Sequence, residues 1–275
     1  MSQLGIVWRK EMLEAWRNRK WIWLPIVFVL LGVMEPISTH FMPQILKLSG
    51  GLPPGTVIHI PTPSAGEVFA KAQSQYSTLG LLVLVLAFMG SVSNERQYGV
   101  LELVLVKRVS HASYILAKWL AASCLTFISL LIGDLFAWYY TVQLIGPLSL
   151  GHVLSSAVFY TVWLLLIITL TLFFSVLLQS SIANAFISLM TAAVLSVLSD
   201  VLKWSWSPGS LPSQAGDLAM QGSTSPGAVS GVRALLGATQ TGAQGDLVWS
   251  ITIAIALVGC LLAAAIVVFP RRVSR

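Results

Sequence analysis

Apolar residues in this chain run in long unbroken blocks rather than alternating with polar ones. Six blocks stand out: Trp21 to Phe41, Ser77 to Val92, Ile115 to Tyr139, Val153 to Leu178, Ile182 to Leu202 and Leu247 to Phe269. Crossing a hydrocarbon core takes about 20 residues. The second block is the shortest, but it holds no charge between Leu79 and Val92. A backbone in lipid has no water to pair with, so each block is predicted to be a helix that satisfies its own hydrogen bonds. The pattern therefore predicts an all-α integral membrane protein with six transmembrane helices. Composition agrees: 56% of residues are hydrophobic and only 9% charged, too little polar surface to coat a globular domain of this length. The first block follows a basic segment, as a signal peptide would. It is too long for one, ends without a small-residue cleavage site and precedes five further spans, so it is expected to stay.

The stretches between blocks differ in kind. Over residues 1–20 a helical projection puts Leu4, Trp8, Met12, Ala15 and Trp16 on one side and Arg9, Lys10, Glu14, Arg17, Asn18 and Lys20 on the other, with Leu13 out of place among the polar positions. That is an amphipathic interfacial helix, with Trp8, Trp16, Arg17, Arg19 and Lys20 as anchors in the headgroup layer of membrane lipid. Two long connections are read as outer loops, 42–76 and 203–246. In the first, five prolines from Pro43 to Pro63 predict an irregular course over its first two thirds. Ser64-Ala65-Gly66-Glu67 then reads as a capping box opening a short helix into the second span. The second is rich in Gly, Ser, Pro, Gln and Ala without apolar periodicity, and is predicted to be a flexible loop. Small residues recur every fourth position at Ser188, Ala192 and Ser196 and at Gly259 and Ala263, a spacing that lets helices approach within the bundle or at a dimer seam.

Charge sets the orientation. Arg9, Lys10, Arg17, Arg19 and Lys20 precede the first span, Arg96, Lys107, Arg108 and Lys118 border the connection after the second, and Arg271, Arg272 and Arg275 form a basic tail, 270–275. The other side carries Lys47, Lys71, Lys203 and Arg233, spread over longer loops. The positive-inside rule places both termini in the cytoplasm, which an even number of spans requires. The net charge of +6 belongs to membrane borders, so no nucleic-acid partner is expected. Cys124 and Cys260 both fall inside spans, and neither a disulfide framework nor a metal-binding spacing is present.

The chain has no Gly-rich phosphate loop, no zinc-binding His pair and no nucleophile elbow. His40, His59, His111 and His152 stand isolated. No catalytic residue, no metal site and no cofactor bound by this chain are predicted, so uphill transport would draw on a partner or an ion gradient. Ionisable groups inside spans are costly and mark function by default. Glu35, Asp134 and Asp200 all fall in the outer third of their spans; Asp200 reads as snorkelling. Glu35, followed by Pro36 that opens the local backbone, and Asp134 are candidates for an outward-facing vestibule on a translocation path.

The charged segment 93–114 remains. It contains Asn94-Glu95-Arg96-Gln97-Tyr98-Gly99-Val100-Leu101-Glu102-Leu103-Val104-Leu105, then Lys107-Arg108-Val109-Ser110, and closes with Tyr114-Ile115-Leu116-Ala117-Lys118. Together with the N-terminal helix, the first span, a sizeable outer loop and the second span, it resembles an ABC-2 type ABC transporter permease. The motif matches at Glu95, Arg96, Gly99, Glu102 and Lys118; it departs at Val100, where Thr is usual, and at Lys107-Arg108-Val109-Ser110, which replaces a Leu-Pro turn. The resemblance implies a membrane subunit of an exporter in a bacterial plasma membrane. It also implies a separate cytoplasmic ABC ATPase that binds ATP-Mg, and a homodimer or heterodimer of permeases. On that reading Gly99 to Ser113 docks on the ATPase, with Leu101, Leu103 and Leu105 as apolar contacts and Glu95, Arg96, Glu102, Lys107 and Arg108 as polar ones. The second and third spans would act as levers, and the turn Gln179-Ser180-Ser181 would add a smaller contact. The competing class is an ATP-independent carrier or channel, against which stand the absence of polar residues at the midplane of several spans and of an inverted repeat. An intramembrane enzyme would need paired catalytic residues at membrane depth, and none are present.

Overall fold

The computed structural model describes residues 3–48, 63–99, 110–204, 206–221 and 240–273. In chain order the helices are α1 (Gln3–Arg17), α2 (Lys20–Leu48), α3 (Ala65–Gln75), a π turn (Tyr76–Gly80), α4 (Leu81–Phe88), α5 (Ser93–Gln97), α6 (His111–Leu144), α7 (Leu150–Leu177), α8 (Ser181–Val201), a 3₁₀ turn (Pro208–Ser210), α9 (Leu211–Gln221) and α10 (Gln240–Val273). Among the described residues there is no strand, and six helical stretches are long and apolar enough to span a membrane: Lys20–Ile45, Ala65–Gln97, His111–Leu144, Leu150–Leu177, Ser181–Ser199 and Val248–Pro270. The protein is an all-helical, multi-span membrane protein.

The central column is α7. About 67% of its apolar window is buried, against 22% in α8 and 17% in α10, whose free faces present Phe186, Met190 and Ile255 outward as lipid-facing helices do. Around α7 the main core gathers Leu24 and Phe28 from α2, Tyr76 from the π turn, Leu84 from α4, Leu125 and Leu130 from α6, and Tyr160, Trp163 and Ile167 from α7 itself. A second core at the α1 end joins Val7, Val92, Tyr114, Ile115, Leu172, Val176 and Phe269. A third, at the opposite end, packs Ala65, Phe69, Ala72, Ala137, Leu148, Val153 and Ala219.

Several element boundaries differ from expectation. The α2 helix runs on through Pro36 and Pro43 to Leu48, so Pro36 opens no gap in the backbone and residues 42–48 are helical. Residues 49–62 lie outside the described part. The second span starts earlier than its apolar run: Ser64 accepts from the Glu67 N–H at 3.3 Å and its own N–H donates to Glu67 Oε2 at 3.1 Å, completing the expected capping box. From that cap one helix passes through the π turn into α4. The stretch 203–246 is not a plain loop. Pro208–Gln221 is helical and buried against α3 and α7. Its small residues serve close approach: a Cβ on Gly209 would lie 2.3 Å from the Leu195 carbonyl oxygen, and a Cβ on Gly66 of α3 would lie 2.6 Å from Met220 Cα. On α8 the small-residue stripe points inward at Ser188 and Ala192, whereas Gly259 of α10 faces open space.

The most extensive helix contact is α2 on α6. A Cβ on Gly32 would sit 2.3 Å from the Tyr76 hydroxyl and 2.9 Å from the Gly133 carbonyl oxygen, and one on Gly133 would sit 2.9 Å from Phe28 Cβ. We expect Gly32→Ala to cost about 1–3 kcal/mol, the usual range for overpacking, read as a lower unfolding temperature in detergent. Adding Tyr76→Phe should recover part of that loss, because it removes one of the two clashing oxygens.

Candidate functional site

Sequence expectations gather at the α1 end of the bundle, and so do the charges. Helix α1 lies against α6 through Val7, which is buried, with Leu4, Glu11 and Ala15 beside it. The opposite arc, with Ile6, Trp8, Leu13 and Trp16, is exposed. Leu13 therefore belongs to an outward apolar arc and is not an interruption of the pattern. Arg9, Arg17 and Arg19 are exposed on the same body, and Arg19 takes a left-handed φ of 53° at the elbow into α2.

Two turns into α6, Lys118 is only 4% exposed. Its ammonium reaches both oxygens of Glu11 at 3.0 Å and Glu95 Oε1 at 2.9 Å. Glu95 comes from α5 and also accepts from Lys10 Nζ at 2.8 Å and from the Tyr114 hydroxyl. Lys10 in turn lies 3.2 Å from Glu11 and 3.5 Å from Glu14. Partial burial works against a charge on Lys10, but the hydrogen bond to Glu95 and the Glu11 carboxylate outweigh it and raise its pKa above the ordinary lysine value of 10.5. Lys10 therefore stays charged, and this part of the clamp is lost only at pH above that value. Oxygens of Glu11, Glu14 and Glu95 come within 4.8 Å of one another, a spacing that suits a metal ion, but Lys10 and Lys118 already supply the countercharge.

This clamp joins three segments far apart in sequence: α1, α5 and the start of α6. Lys20 adds a fourth tie. Its ammonium donates to the Ala87 carbonyl at 2.7 Å and lies 5.1 Å from the centre of the Phe88 ring. Between these contacts a cavity of about 320 Å³ opens, with Glu14, Asn18 and Lys20 on its polar side and Leu86, Phe88, Ala121 and Leu125 on its apolar side.

The chain leaves and re-enters at this clamp. Helix α5 ends at Gln97, and Tyr98, 79% exposed, leads into Gly99 with φ +69°. That left-handed conformation stops the helix and favours glycine. On return, the Ser110 N–H donates to Gln3 Oε1 of α1 at 3.2 Å, and the Ser110 hydroxyl caps α6 by accepting from the Ser113 N–H. Both ends of the intervening segment are thus held to α1 or its neighbours.

The expected residues fall into distinct groups. Glu95 turns inward, into the clamp, because Lys118 and Lys10 lie behind it. Arg96 is half-buried and Gly99 is exposed. Leu101, Glu102, Leu103, Leu105, Lys107 and Arg108 lie outside the described residues. Among the anchors, Trp8, Trp16, Arg17 and Arg19 are exposed, while Lys20 folds in toward α4. The turn 179–181 binds α5: Gln97 Nε2 donates to the Gln179 carbonyl at 2.7 Å, and Ser181 bonds Ser93 at 2.9 Å and Asn94. Sequence reasoning missed Lys10, Glu11 and Tyr114. A signal for Glu11 was available: at 100° per residue it falls between the apolar positions Leu4 and Val7.

At the other end of the bundle, Asp134 does not line an open vestibule. It is 1% exposed, and neither carboxyl oxygen has a hydrogen-bond partner. The Gln73 amide and the Tyr76 hydroxyl, both buried, complete this unpaired polar group. Glu35 sits apart from it, accepting from Gln75 Nε2 at 3.0 Å.

With this geometry in view, comparison with known proteins is informative. A model of the family described as ABC-2 family transporter protein matches residues 6–208. The chain belongs to the ABC-2 transporter family. It is also similar to an uncharacterized transmembrane protein of Bacillus subtilis (strain 168), YxlG, at 36% identity over 208 residues, which cover 74% of this chain and 81% of that protein. The family match spans α1 to the 3₁₀ turn and so takes in every residue of the clamp. Members of the ABC-2 family serve as membrane components of transport and generally work with an ATP-binding subunit.

Breaking a buried ion pair by removing one partner typically costs about 3–5 kcal/mol. We expect Lys118→Met to lower the unfolding temperature by a margin in keeping with that range. Glu95→Gln in the Lys118→Met background should cost much less than Glu95→Gln alone. Additive losses in this double-mutant cycle would mean that the two side chains do not act as a pair.

Proposed function

We propose that this chain is the permease subunit of an ATP-binding cassette exporter in a bacterial plasma membrane, driven by a separate cytoplasmic ATPase that binds ATP-Mg. The observation that carries the reading is the clamp of Lys118, Glu95, Glu11 and Lys10, which holds both ends of the segment between Gly99 and Ser110 against one platform. A segment tethered at both ends and led out by an exposed tyrosine and a helix-stopping glycine is suited to transmit force from a soluble partner.

Orientation follows from charge. The α1 end carries most of the Lys and Arg outside the spans and is the cytoplasmic side under the positive-inside rule, with both termini there. Arg9, Arg17 and Arg19 with Trp8 and Trp16 suit an anionic inner leaflet, at about 1 kcal/mol per basic residue near the surface. Leu101, Leu103 and Leu105 are the apolar contacts to the ATPase, with Glu102, Lys107 and Arg108 around them. Glu95 acts behind this contact, as part of the frame. Two permeases pair with two ATPases, and ATP-driven closure of the ATPases shifts the path between inward-facing and outward-facing states. Asp134 and Glu35 belong to the outer half of that path, which is closed here.

The test is co-purification with the cognate ABC ATPase from lipid nanodiscs. The double change Lys107→Glu plus Arg108→Glu should reduce ATPase recovery roughly tenfold, the size of one strong contact. The permease's own unfolding temperature should hold, since Lys10, Glu11, Glu95 and Lys118 are all kept. Full ATPase recovery from that variant would remove the segment from the interface.

A further inference from the structure

Where the second span meets the segment after it, the helix is open. In an unbroken α-helix the N–H groups of Val92 and Ser93 would donate to the carbonyls of Phe88 and Met89. Here both donate to one side chain on a different span, Ser175 Oγ of α7, at 3.0 and 3.1 Å. The Met89 carbonyl released by the break accepts from Asn184 Nδ2 of α8 at 2.5 Å and lies 3.2 Å from Ser175 Oγ. Helical bonding resumes only with Asn94 N–H to the Gly90 carbonyl, at 3.2 Å. Gly90 leaves room for this arrangement, because a Cβ there would lie 2.2 Å from Asn94 Nδ2. Ser175 and Asn184 are both buried, so these are fixed contacts of the interior rather than surface bonds.

The consequence is an exchange of loyalties. Helix α5 is joined to α4 only through the four residues Met89 to Val92. It is bonded to α7 through Ser175, to α8 and its leading turn through Ser181 and Gln179, and to α1 and α6 through Glu95, while Asn184 of α8 holds the Met89 carbonyl at the far side of the joint. Sharp interruptions of a helix behave as joints when side chains from elsewhere satisfy the freed groups.

We propose that Ser175 and Asn184 are positioning residues. Ser175 fastens α5 to the cytoplasmic end of α7, the turn at Ser181 fastens it to α8, and Asn184 pins the Met89 carbonyl at the α4 side of the joint, so that movement of the 99–110 segment passes into α6, α7 and α8 while α4 turns about the Met89–Val92 joint. This replaces the expectation that the second span is itself a lever. The inference rests on reading that segment as the ATPase contact.

The experiment uses the permease with its ATPase in nanodiscs, with Cys124 and Cys260 changed to Ser. Spin labels are placed at position 98 paired with either position 190 on α8 or position 79 in the π turn; all three side chains are exposed. On ATP–vanadate trapping the 98–190 distance should change by less than about 2 Å, the scale of small helix shifts within a packed body, and the 98–79 distance by clearly more. Ser175→Ala should broaden the 98–190 distribution and weaken ATP-driven movement, and Ser175→Thr, which keeps the hydroxyl, should restore both. Equal changes in the two pairs, or no effect of Ser175→Ala, would overturn the proposal. If ATP moves neither pair, the ATPase reading fails instead. The nucleotide-free distributions then still decide the joint: 98–190 narrower than 98–79 supports it, and equal widths refute it.

Discussion

Much of the α1 end follows from the need to pair one buried ammonium. Lys118 sits on a helix that enters the membrane, and it is stable there only with carboxylates at contact distance. Neither comes from its own helix. Glu11 requires α1 to lie against α6, and Glu95 requires the chain leaving the second span to bend toward α6 before it ends. The opened turn at Met89–Val92 lies between α4 and the helix that delivers Glu95, and Ser175 satisfies the N–H groups it exposes. One charge thus links the docking of the N-terminal helix, the break in the second span and the place where the following segment starts and stops.

Close packing elsewhere rests on residues that look uninformative in sequence. Helices in lipid gain little from burying apolar surface against one another, so association depends on close approach and on polar bonds between helices. The contact of α2 with α6 at Gly32 and Gly133, that of α3 with α9 at Gly66, and that of the 3₁₀ turn with α8 at Gly209 leave no room for a side chain. Ser77 with Tyr160 and Ser156 with Gln73 provide polar bonds that tie the π turn and α3 to α7, at 2.8 Å each.

The six spans were legible because long apolar runs have few alternatives in lipid, and the capping box at Ser64 was legible because its geometry is local. What the sequence concealed was non-local. The spacing of Glu95, Gly99 and Lys118 marked the right residues but gave Glu95 an outward task, since the partner that turns it inward, Glu11–Lys118, is formed across more than 100 residues. Composition misled over Pro208–Gln221, where Gly, Ser and Ala signal flexibility in water but close packing beside helices. Proline misled at Pro36, because a helix packed in a bundle can run on through the bond that a proline cannot make.

The two polar groups of the bundle are connected by a single rigid element. Lys118 and Asp134 both belong to α6, 16 residues apart, or about 24 Å along an unbroken helix. A tilt of α6 at its clamped end must therefore appear at Asp134 as a displacement against α2, at the place where backbone and side chains already touch with no slack around Gly32 and Gly133. That seam cannot absorb movement by compression; it can only stay closed or part. The Asp134 carboxyl, the Tyr76 hydroxyl and the Gln73 Nε2 group, unsatisfied beside such a seam, gain solvent or ligand contacts when it parts, while Gln73 Oε1 can keep its bond from the Ser156 hydroxyl. The closed seam is favoured by packing and the open one by polar satisfaction, and a balance of that kind is one a modest pull at Lys118 is able to shift.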